Sequence, residues 1–207
     1  MQQKHTFLYL ITSKCDKLLT EQEIIDGCKR ANGVAQRELY ERYGAIMFGV
    51  CCRYVSDRAT AEDLLHDGFI TVFTKIGEFR GEGSFEGWCR RIFVNTALGY
   101  LRRKNPLGES DNIEDVPKLY DQQDDAVDRM SGEELVAMVS ELHDGYRTIL
   151  NLYAVEGYSH KEIGDTLGIT ENTSRSQYFR ARGRLMVLIS HAENRRMHQY
   201  VPSHRKI

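Results

Sequence analysis

The amino-acid sequence predicts an all-α protein in which two small helical domains are joined by an acidic linker. Apolar residues recur at three- and four-residue steps through several segments, as they do along the buried face of an amphipathic helix. The 207 residues include only three prolines and seventeen glycines, which argues against a turn-rich β-sandwich or barrel. Hydrophobic residues make up 41% of the chain and charged residues 28%, so the chain can bury a core.

Composition and motifs also exclude several classes of protein. No apolar run approaches the roughly 20 residues of a membrane-spanning helix, and the patch Phe7–Ile11 is shorter than the apolar core of a secretory signal. The five cysteines lack CxxC spacing, which predicts a reducing, cytoplasmic compartment. Neither the cysteines nor the histidines have zinc-ligand spacing, and there is no P-loop, HExxH motif or nucleophile elbow. We therefore expect no metal, no cofactor, no small-molecule substrate and no enzymatic activity.

The first predicted domain covers residues 20–104 and follows an N-terminal extension at residues 1–19. Thr20 and Glu23 form a capping box at the start of its first helix. Its helices are predicted over about 20–30, 34–54, 57–76 and 85–104. On the last helix, Arg91, Asn95, Leu98 and Arg102 are predicted to form a polar strip away from an apolar stripe.

A change of charge marks the boundary between the domains. Residues 105–134 carry ten acidic side chains against two basic ones, a net charge of −8, and Pro106 interrupts the helical pattern. Residues 105–126 are therefore predicted to be an acidic linker. The second domain is predicted over 127–192, with helices at about 144–156, 159–167 and 171–190, followed by a C-terminal tail at 193–207. Residues 84–104 and 171–196 each have a net charge of +4, which indicates contact with a polyanion.

The second domain has the pattern of a helix-turn-helix. Ser159 and Glu162 form a capping box, Gly168 supplies the turn, and Thr170 can cap a longer second helix. One face of that helix is apolar, and the opposite face carries Asn172, Ser176, Phe179 and Arg180, with Arg175 beside it. Asn and Arg can make bidentate contacts with base edges, so this pattern favours DNA binding over an ordinary helical hairpin.

The segment before the last helix of the first domain interleaves aromatic residues with glycines. Exposed aromatic side chains beside basic ones can stack on unpaired bases, and Phe79, Phe85 and Trp88 are candidates. For Phe85 and Trp88, a place in the hydrophobic core is an equally good interpretation.

The order of these residues resembles bacterial RNA polymerase sigma factors. The run from Ala61 to Phe69, and Phe79-Arg80 … Ser84-Phe85-Glu86-Gly87-Trp88 … Arg91 … Asn95 … Arg102-Arg103, resemble region two of that family. The run from Tyr146 through Glu156-Gly157-Tyr158-Ser159 and Leu167-Gly168-Ile169 to Arg180-Ala181-Arg182 resembles region four. With these two regions and a short linker, the chain resembles the extracytoplasmic-function (ECF) group.

The resemblance implies three interaction surfaces. The surface that docks on core RNA polymerase would comprise Glu62, Asp63, His66 and Asp67. The surface that opens and holds the minus-ten element would comprise Phe79, Arg80, Ser84, Phe85, Trp88, Arg91, Asn95, Arg102 and Arg103. The surface that reads the minus-thirty-five element would comprise Asn172, Thr173, Arg175, Ser176, Phe179, Arg180 and Arg182. The implied partners are core polymerase, promoter DNA and an anti-sigma factor, in a soluble or a membrane-bound form.

Two departures from the family pattern affect packing. Ser174 replaces an aliphatic residue, which predicts looser packing under the second helix, and His143-Asp144 replaces a Leu-Pro step. Two alternatives remain open at this point: a free-standing helix-turn-helix regulator that binds duplex DNA without polymerase, and a sigma mimic that sequesters an anti-sigma factor. Binding to promoter DNA with and without core polymerase separates the first alternative from a sigma factor, and Arg175, Arg180 and Arg182 count against the second.

Overall fold

The computed structural model describes residues 19–104, the N-terminal half, and residues 130–199, the C-terminal half. Every regular element in these two ranges is a helix, which confirms the predicted fold class. The predicted extension up to residue 18, the predicted linker at 105–126 and the tail from residue 200 lie outside the described residues.

Four α-helices build the N-terminal half: α1 (Glu21–Lys29), α2 (Gly33–Tyr54), α3 (Arg58–Lys75) and α4 (Phe85–Lys104). Each of the first three begins at a side-chain cap, provided by Thr20, Asn32 and Asp57 respectively. The capping box predicted from Thr20 and Glu23 is confirmed. A short 3-10 turn, Ile76–Glu78, ends α3.

The core of this half is apolar and rich in aromatic rings. Leu39, Met47 and Val50 of α2 are fully buried, and the rings of Phe69 (α3) and Phe93 (α4) meet edge to face at 5.2 Å between centroids. Such pairs add to the free energy gained by burial.

Leu98 corrects the predicted polar strip on α4. Its side chain is fully buried, because it lies one turn from Val94 and Leu101, which are also buried. The apolar face of α4 is therefore wider than the sequence pattern suggested. Arg91, Asn95 and Arg102 do lie on its exposed side.

The C-terminal half contains α5 (Gly132–Ser140), α6 (Asp144–Leu150), α7 (His160–Leu167) and α8 (Glu171–Gln199). After α6 the chain widens into a π-type turn over Asn151–Val155, where Glu156 donates its backbone N–H to the Asn151 carbonyl at 2.9 Å. The predicted helix at 171–190 continues nine residues further, to Gln199.

Two hydrophobic clusters organise the C-terminal half. Leu142, Leu150, Ala181 and Ile189 form a small cluster of their own between α6 and α8. Four other side chains belong instead to the cluster that fills the N-terminal half: Ile149, Leu152, Ile163 and Leu167. The two halves therefore share one continuous core.

The described cysteines are free thiols. Cys28, Cys51 and Cys89 are buried in the N-terminal half, and Cys52 is half-buried. Burial raises the pKa of the Cys51 and Cys89 thiols to about 12. In the described ranges no group of three or more His, Cys, Asp or Glu side chains is placed to hold a metal ion. None of the described helices is both long enough and apolar enough to cross a membrane.

Candidate polymerase and nucleic-acid interfaces

The predicted polymerase-docking residues form one exposed patch on α3. Asp57 begins this helix by accepting hydrogen bonds from the Thr60 N–H at 2.8 Å and the Thr60 hydroxyl at 2.7 Å. These bonds lower the pKa of the Asp57 carboxyl, because they favour its charged form. Leu64, Leu65 and Phe69 face the core, which leaves the other side of the helix to solvent. That side presents Glu62, Asp63, His66 and Asp67, all exposed.

The aromatic residues predicted to stack on bases mostly lie in the core. Phe85 is 1% exposed and Phe79 is 9% exposed, and their rings meet at 5.1 Å between centroids. Trp88 is half-buried beside both, at 5.7 Å from Phe85 and 5.6 Å from Phe79. The core interpretation therefore holds for Phe85, and the structure corrects the prediction that the rings of Phe79 and Phe85 are available to a base. Removing two large aromatic rings from water is favourable, which is why these rings pack in the core and do not face solvent.

The polar members of the same predicted surface are accessible. Arg80 is exposed, and so are Arg91, Asn95, Arg102 and Arg103 along α4. Ser84 is exposed too, and its hydroxyl accepts the Gly87 N–H at 3.0 Å, as a cap at the start of α4 does. The structure thus gives Ser84 a structural task in addition to the predicted one.

The helix-turn-helix depends on two glycines. Gly168 adopts a left-handed φ of 72° at the end of α7, a conformation that costs other residues free energy. A Cβ atom on Gly164 would lie 2.7 Å from the Ile169 carbonyl oxygen, so only glycine allows the turn to approach α7 this closely. The predicted capping box of Ser159 and Glu162 is present at the start of α7.

The predicted recognition helix is the first part of α8. The Thr173 N–H donates to the Thr170 hydroxyl at 3.0 Å, which caps its first turn. Ala181, Leu185 and Ile189 are buried on one face. Asn172, Ser176, Phe179 and Arg180 are exposed on the opposite side, and Thr173 is half-buried. Arg175 and Arg182 are exposed at the edges of the buried face, where Arg182 lines the same cavity as Leu185. Arg175 forms an ion pair with Glu171 one turn earlier, and both side chains are well exposed.

Ser174 is fully buried between α7 and α8. Its hydroxyl lies 3.0 Å from His160 Nδ1, and the His160 ring stacks on Tyr153 at 4.3 Å between centroids. Burial is the main cause that lowers the pKa of His160, and the Arg175 charge adds to it. A polar contact therefore fills the position at which the sequence predicted looser packing. At the other departure from the family pattern, His143 caps α6 and Asp144 pairs with Arg147.

Sequence reasoning missed a group of buried polar residues at the junction of the halves. Arg147 is 2% exposed and Asn151 is 1% exposed, and both donate to backbone carbonyls at the end of α2. Glu156, whose side chain is 5% exposed, forms an ion pair with Arg53 at 2.9 Å. Two of these contacts end on backbone atoms, which carry no signal in a sequence.

The chain matches two family models. Residues 39–106 match Sigma-70 region 2, and residues 132–185 match Sigma-70 region 4, so the two matches together cover more than half of the chain. The free-standing regulator is not favoured, because the first half of the chain also matches a sigma region, region 2.

Curated relatives agree with both matches. The chain is 32% identical over 175 residues to the ECF RNA polymerase sigma-E factor of Haemophilus influenzae, covering 79% of this chain and 92% of the relative. It is 27% identical to the RNA polymerase sigma-H factor of Pseudomonas aeruginosa, covering 78% and 90%. Among solved structures it is similar to the sigma factor RpoE of Bartonella quintana in complex with the anti-sigma factor NepR, at a TM-score of 0.47 and 20% identity, covering 74% and 96%.

The region 2 match contains the exposed acidic patch and the exposed basic helix. The region 4 match, which follows it in the chain, contains the helix-turn-helix. The identity with full-length relatives extends across both regions. The chain belongs to the sigma-70 family as an ECF sigma factor, the subunit that directs core RNA polymerase to promoters.

Proposed function

We propose that this sigma factor binds its partners through three separate surfaces. These surfaces lie on two domains, residues 20–104 and 127–192. The α3 patch (Glu62, Asp63, His66 and Asp67) binds core polymerase. Trp88 and the exposed side chains of Arg80, Ser84, Arg91, Asn95, Arg102 and Arg103 hold the minus-ten element. The exposed face of α8 reads the minus-thirty-five element. The observation that carries this division is that these polar side chains are accessible while their helices are fixed by buried apolar faces.

The chain acts in the cytoplasm and has no enzymatic activity of its own. Its contribution is to bind and orient, since the polymerase supplies the chemistry. Phe79 and Phe85 act in this proposal as the support behind Trp88, because their rings pack against it.

The docking assignment is tested by reversing charge on the α3 patch. Asp63 and Asp67 are exposed, so Asp63→Lys with Asp67→Lys is expected to change the free energy of unfolding by about 0.5 kcal/mol or less per site while abolishing co-purification with core polymerase. The matched control is Glu133→Lys with Glu141→Lys, which changes the net charge equally on exposed residues of the other half. Unchanged co-purification of the α3 variant would remove the assignment.

The base-reading assignment is tested on Arg175. If this side chain makes a bidentate bond to a base edge, Arg175→Ala should cost about 1–3 kcal/mol of binding free energy and relax preference at one promoter position. Arg182→Ala is the comparison, because we assign that residue to a phosphate, and removing a phosphate partner weakens all promoters alike. Run-off transcription from a library randomised across the minus-thirty-five element measures both. An equal decrease for every library member with Arg175→Ala would contradict the assignment.

We also propose an anti-sigma factor as a regulatory partner, the class of protein that is bound to RpoE in the Bartonella quintana complex. Such a partner would inhibit run-off transcription in proportion to its ratio to this chain, and excess chain would relieve the inhibition. An inhibitor that acts equally on holoenzyme formed with a different sigma factor would contradict this role.

A further inference from the structure

Ser174 places a buried hydroxyl on the face that α8 turns towards α7. It is 0% exposed and lies two turns before Ala181, which is also fully buried. Its hydroxyl is 3.0 Å from Nδ1 of His160, in the first turn of α7. A buried hydroxyl without a partner would cost free energy, so this hydrogen bond allows a polar side chain at the position. We call it the His160–Ser174 bond.

Two tyrosine rings hold the imidazole of His160 in place. Tyr153, from the π-type turn, stacks on it with the ring centroids 4.3 Å apart and the planes 11° from parallel. The ring of Tyr178 lies 5.7 Å from that of His160 and 4.5 Å from that of Tyr153. Tyr178 comes one turn after Ser174 on α8, so His160 contacts this helix at two successive turns. Contacts at two successive turns restrain both the tilt and the rotation of a helix.

The turn between α7 and α8 fixes the point at which α8 begins. Gly164 lies against the Ile169 carbonyl, and the Thr170 hydroxyl accepts the Thr173 N–H at 3.0 Å. The His160–Ser174 bond adds a directional contact further along the interface. A hydrogen bond keeps its two heavy atoms within about 2.7–3.2 Å and close to one line, whereas apolar side chains can repack. The bond therefore selects one rotation of α8 on α7.

The imidazole of His160 is suited to this bond because it is neutral. Burial is the largest cause that lowers the pKa of His160, and the charge of Arg175 lowers it further, while Glu171 opposes them. A neutral imidazole has one donor and one acceptor nitrogen, so it can pair with a hydroxyl in either direction. It also lies beside Arg175 without repelling it.

The side chains that the proposed function assigns to base reading lie directly beside this bond. Arg175 follows Ser174 in the chain and lines one cavity of about 580 Å³ together with His160. Asn172 comes two residues before Ser174. A side-chain atom about 5 Å from the helix axis moves by about 2 Å when the helix rotates by about 20°. A bidentate bond to a base tolerates a displacement of only about 0.5 Å, so a small rotation changes which bases these side chains reach.

We infer that His160 and Ser174 are positioning residues for recognition of the minus-thirty-five element: their hydrogen bond sets the rotation of the first turns of α8 and thereby the bases that Asn172 and Arg175 contact. The inference rests on the proposed function, which assigns base reading to α8. Ser174 is buried and His160 packs against two rings, so both act through their neighbours and do not read DNA themselves. Losing the bond therefore changes selectivity among promoters more than overall affinity.

The test separates the hydrogen bond from the stacked ring in the full-length chain. His160→Phe keeps a ring against Tyr153 but removes the bond, and Ser174→Ala removes the bond from the other side. His160→Asn removes the ring but keeps a polar atom attached at the position of Nδ1, so it can restore the bond. Run-off transcription with core polymerase, from a promoter library randomised across the minus-thirty-five element, measures the preference at each position.

His160→Phe and Ser174→Ala should lower the preference at the same promoter positions, each on the order of fivefold. This is the lower end of the roughly 5- to 150-fold by which a bidentate pair discriminates between bases. The double variant should lose no more than either single variant, because both remove the same bond. His160→Asn should retain most of the wild-type preference.

Two controls make the same chemical changes away from the bond. Thr148 is also fully buried, but its hydroxyl donates to the Asp144 carbonyl within α6 at 2.6 Å. Thr148→Val should therefore lower stability without changing the preference among promoters. His191→Phe makes the histidine substitution at an exposed position of α8 and should change neither.

Circular dichroism verifies that each variant is folded, and Ser174→Ala, which removes one oxygen atom, keeps the test valid if a His160 variant fails to fold. The inference is overturned if His160→Phe and Ser174→Ala keep the wild-type preferences, or if they lower transcription from every promoter alike. It is also overturned if His160→Asn loses as much preference as His160→Phe. Failure of the proposed function looks different and would overturn both: the wild-type chain would then show no preference within the element.

Discussion

The two halves of this sigma factor are stabilised in different ways. The N-terminal half is held by aromatic and aliphatic side chains, and the buried polar or charged residues of the described chain are all in the C-terminal half: Arg147, Thr148, Asn151 and Ser174. Two of these, Arg147 and Asn151, find partners in the N-terminal half. The N-terminal half therefore relies on apolar packing, whereas the C-terminal half adds hydrogen bonds that reach outside it to the apolar side chains that it contributes to the shared core.

The largest expected effect comes from the aromatic core. Phe93→Ala should lower the free energy of unfolding by about 3–5 kcal/mol, because it removes a fully buried ring and leaves a cavity against Phe69. Urea unfolding followed by circular dichroism measures it. Ile70→Ala on the exposed side of α3 is the control and should change stability by about 0.5 kcal/mol or less. Similar decreases for both variants would contradict the apolar account of this half.

Arg147→Met tests the dependence of the C-terminal half on polar contacts. The change should cost about 3 kcal/mol, since it leaves Asp144 and the carbonyls of Tyr54 and Ser140 without their buried donor. The same unfolding experiment measures it, with Arg184→Met on the exposed side of α8 as control. If Arg147→Met is as stable as its control, the polar contacts do not hold this half in place.

Gly164→Ala distinguishes close packing from helix propensity. Its Cβ would press on the Ile169 carbonyl in the turn, so we expect the free energy of unfolding to fall by about 1–3 kcal/mol and promoter binding to weaken. Gly99→Ala on α4 meets no atom within 4 Å and should stabilise by about 0.5–1 kcal/mol. Thermal unfolding of the two variants should therefore shift in opposite directions, and a shift in the same direction would refute the packing argument.

The smallest effect is a pH dependence in the C-terminal half. The pKa of His160 is lowered in the folded chain, so the unfolded chain binds its proton more tightly. Neutral His160 therefore makes its full contribution to the free energy of unfolding above pH about 6.5, its pKa in the unfolded chain. This contribution is lost as the pH falls below that value. Thermal unfolding at pH 7.5 and 5.5 should show a smaller decrease for His160→Gln than for the wild type. An equal decrease would assign the acid sensitivity to other groups.

Much of the fold follows from local sequence patterns. The capping boxes at Thr20 and Ser159 and the turn at Gly168 depend on residues within a few positions of one another, so their spacing predicts them. The buried position of Leu98 and the extension of α8 to Gln199 depend on packing between distant segments, and local periodicity did not predict either.

The candidate sites also contain some features that local sequence predicts and others that it does not. The exposure of the acidic patch on α3 and of the polar face of α8 follows from helical periodicity, because the opposite face of each helix is apolar. The burial of Phe85 could not be decided from a motif that serves stacking and packing equally well. The ion pair between Glu156 and Arg53 joins residues about a hundred positions apart, and nothing local signals it.

The alkylation rates of the free cysteines can report on the opening of this structure. Cys51 and Cys89 have thiols buried in the N-terminal half, so an alkylating reagent reaches them only when that core opens. Cys52 is half-buried and lies beside Val139 and Met186 in a cavity of about 410 Å³ between the halves. Its rate of alkylation should follow the opening of that cavity, while the rates of Cys51 and Cys89 follow unfolding. Mass spectrometry of timed samples can therefore record both motions in one unlabelled protein.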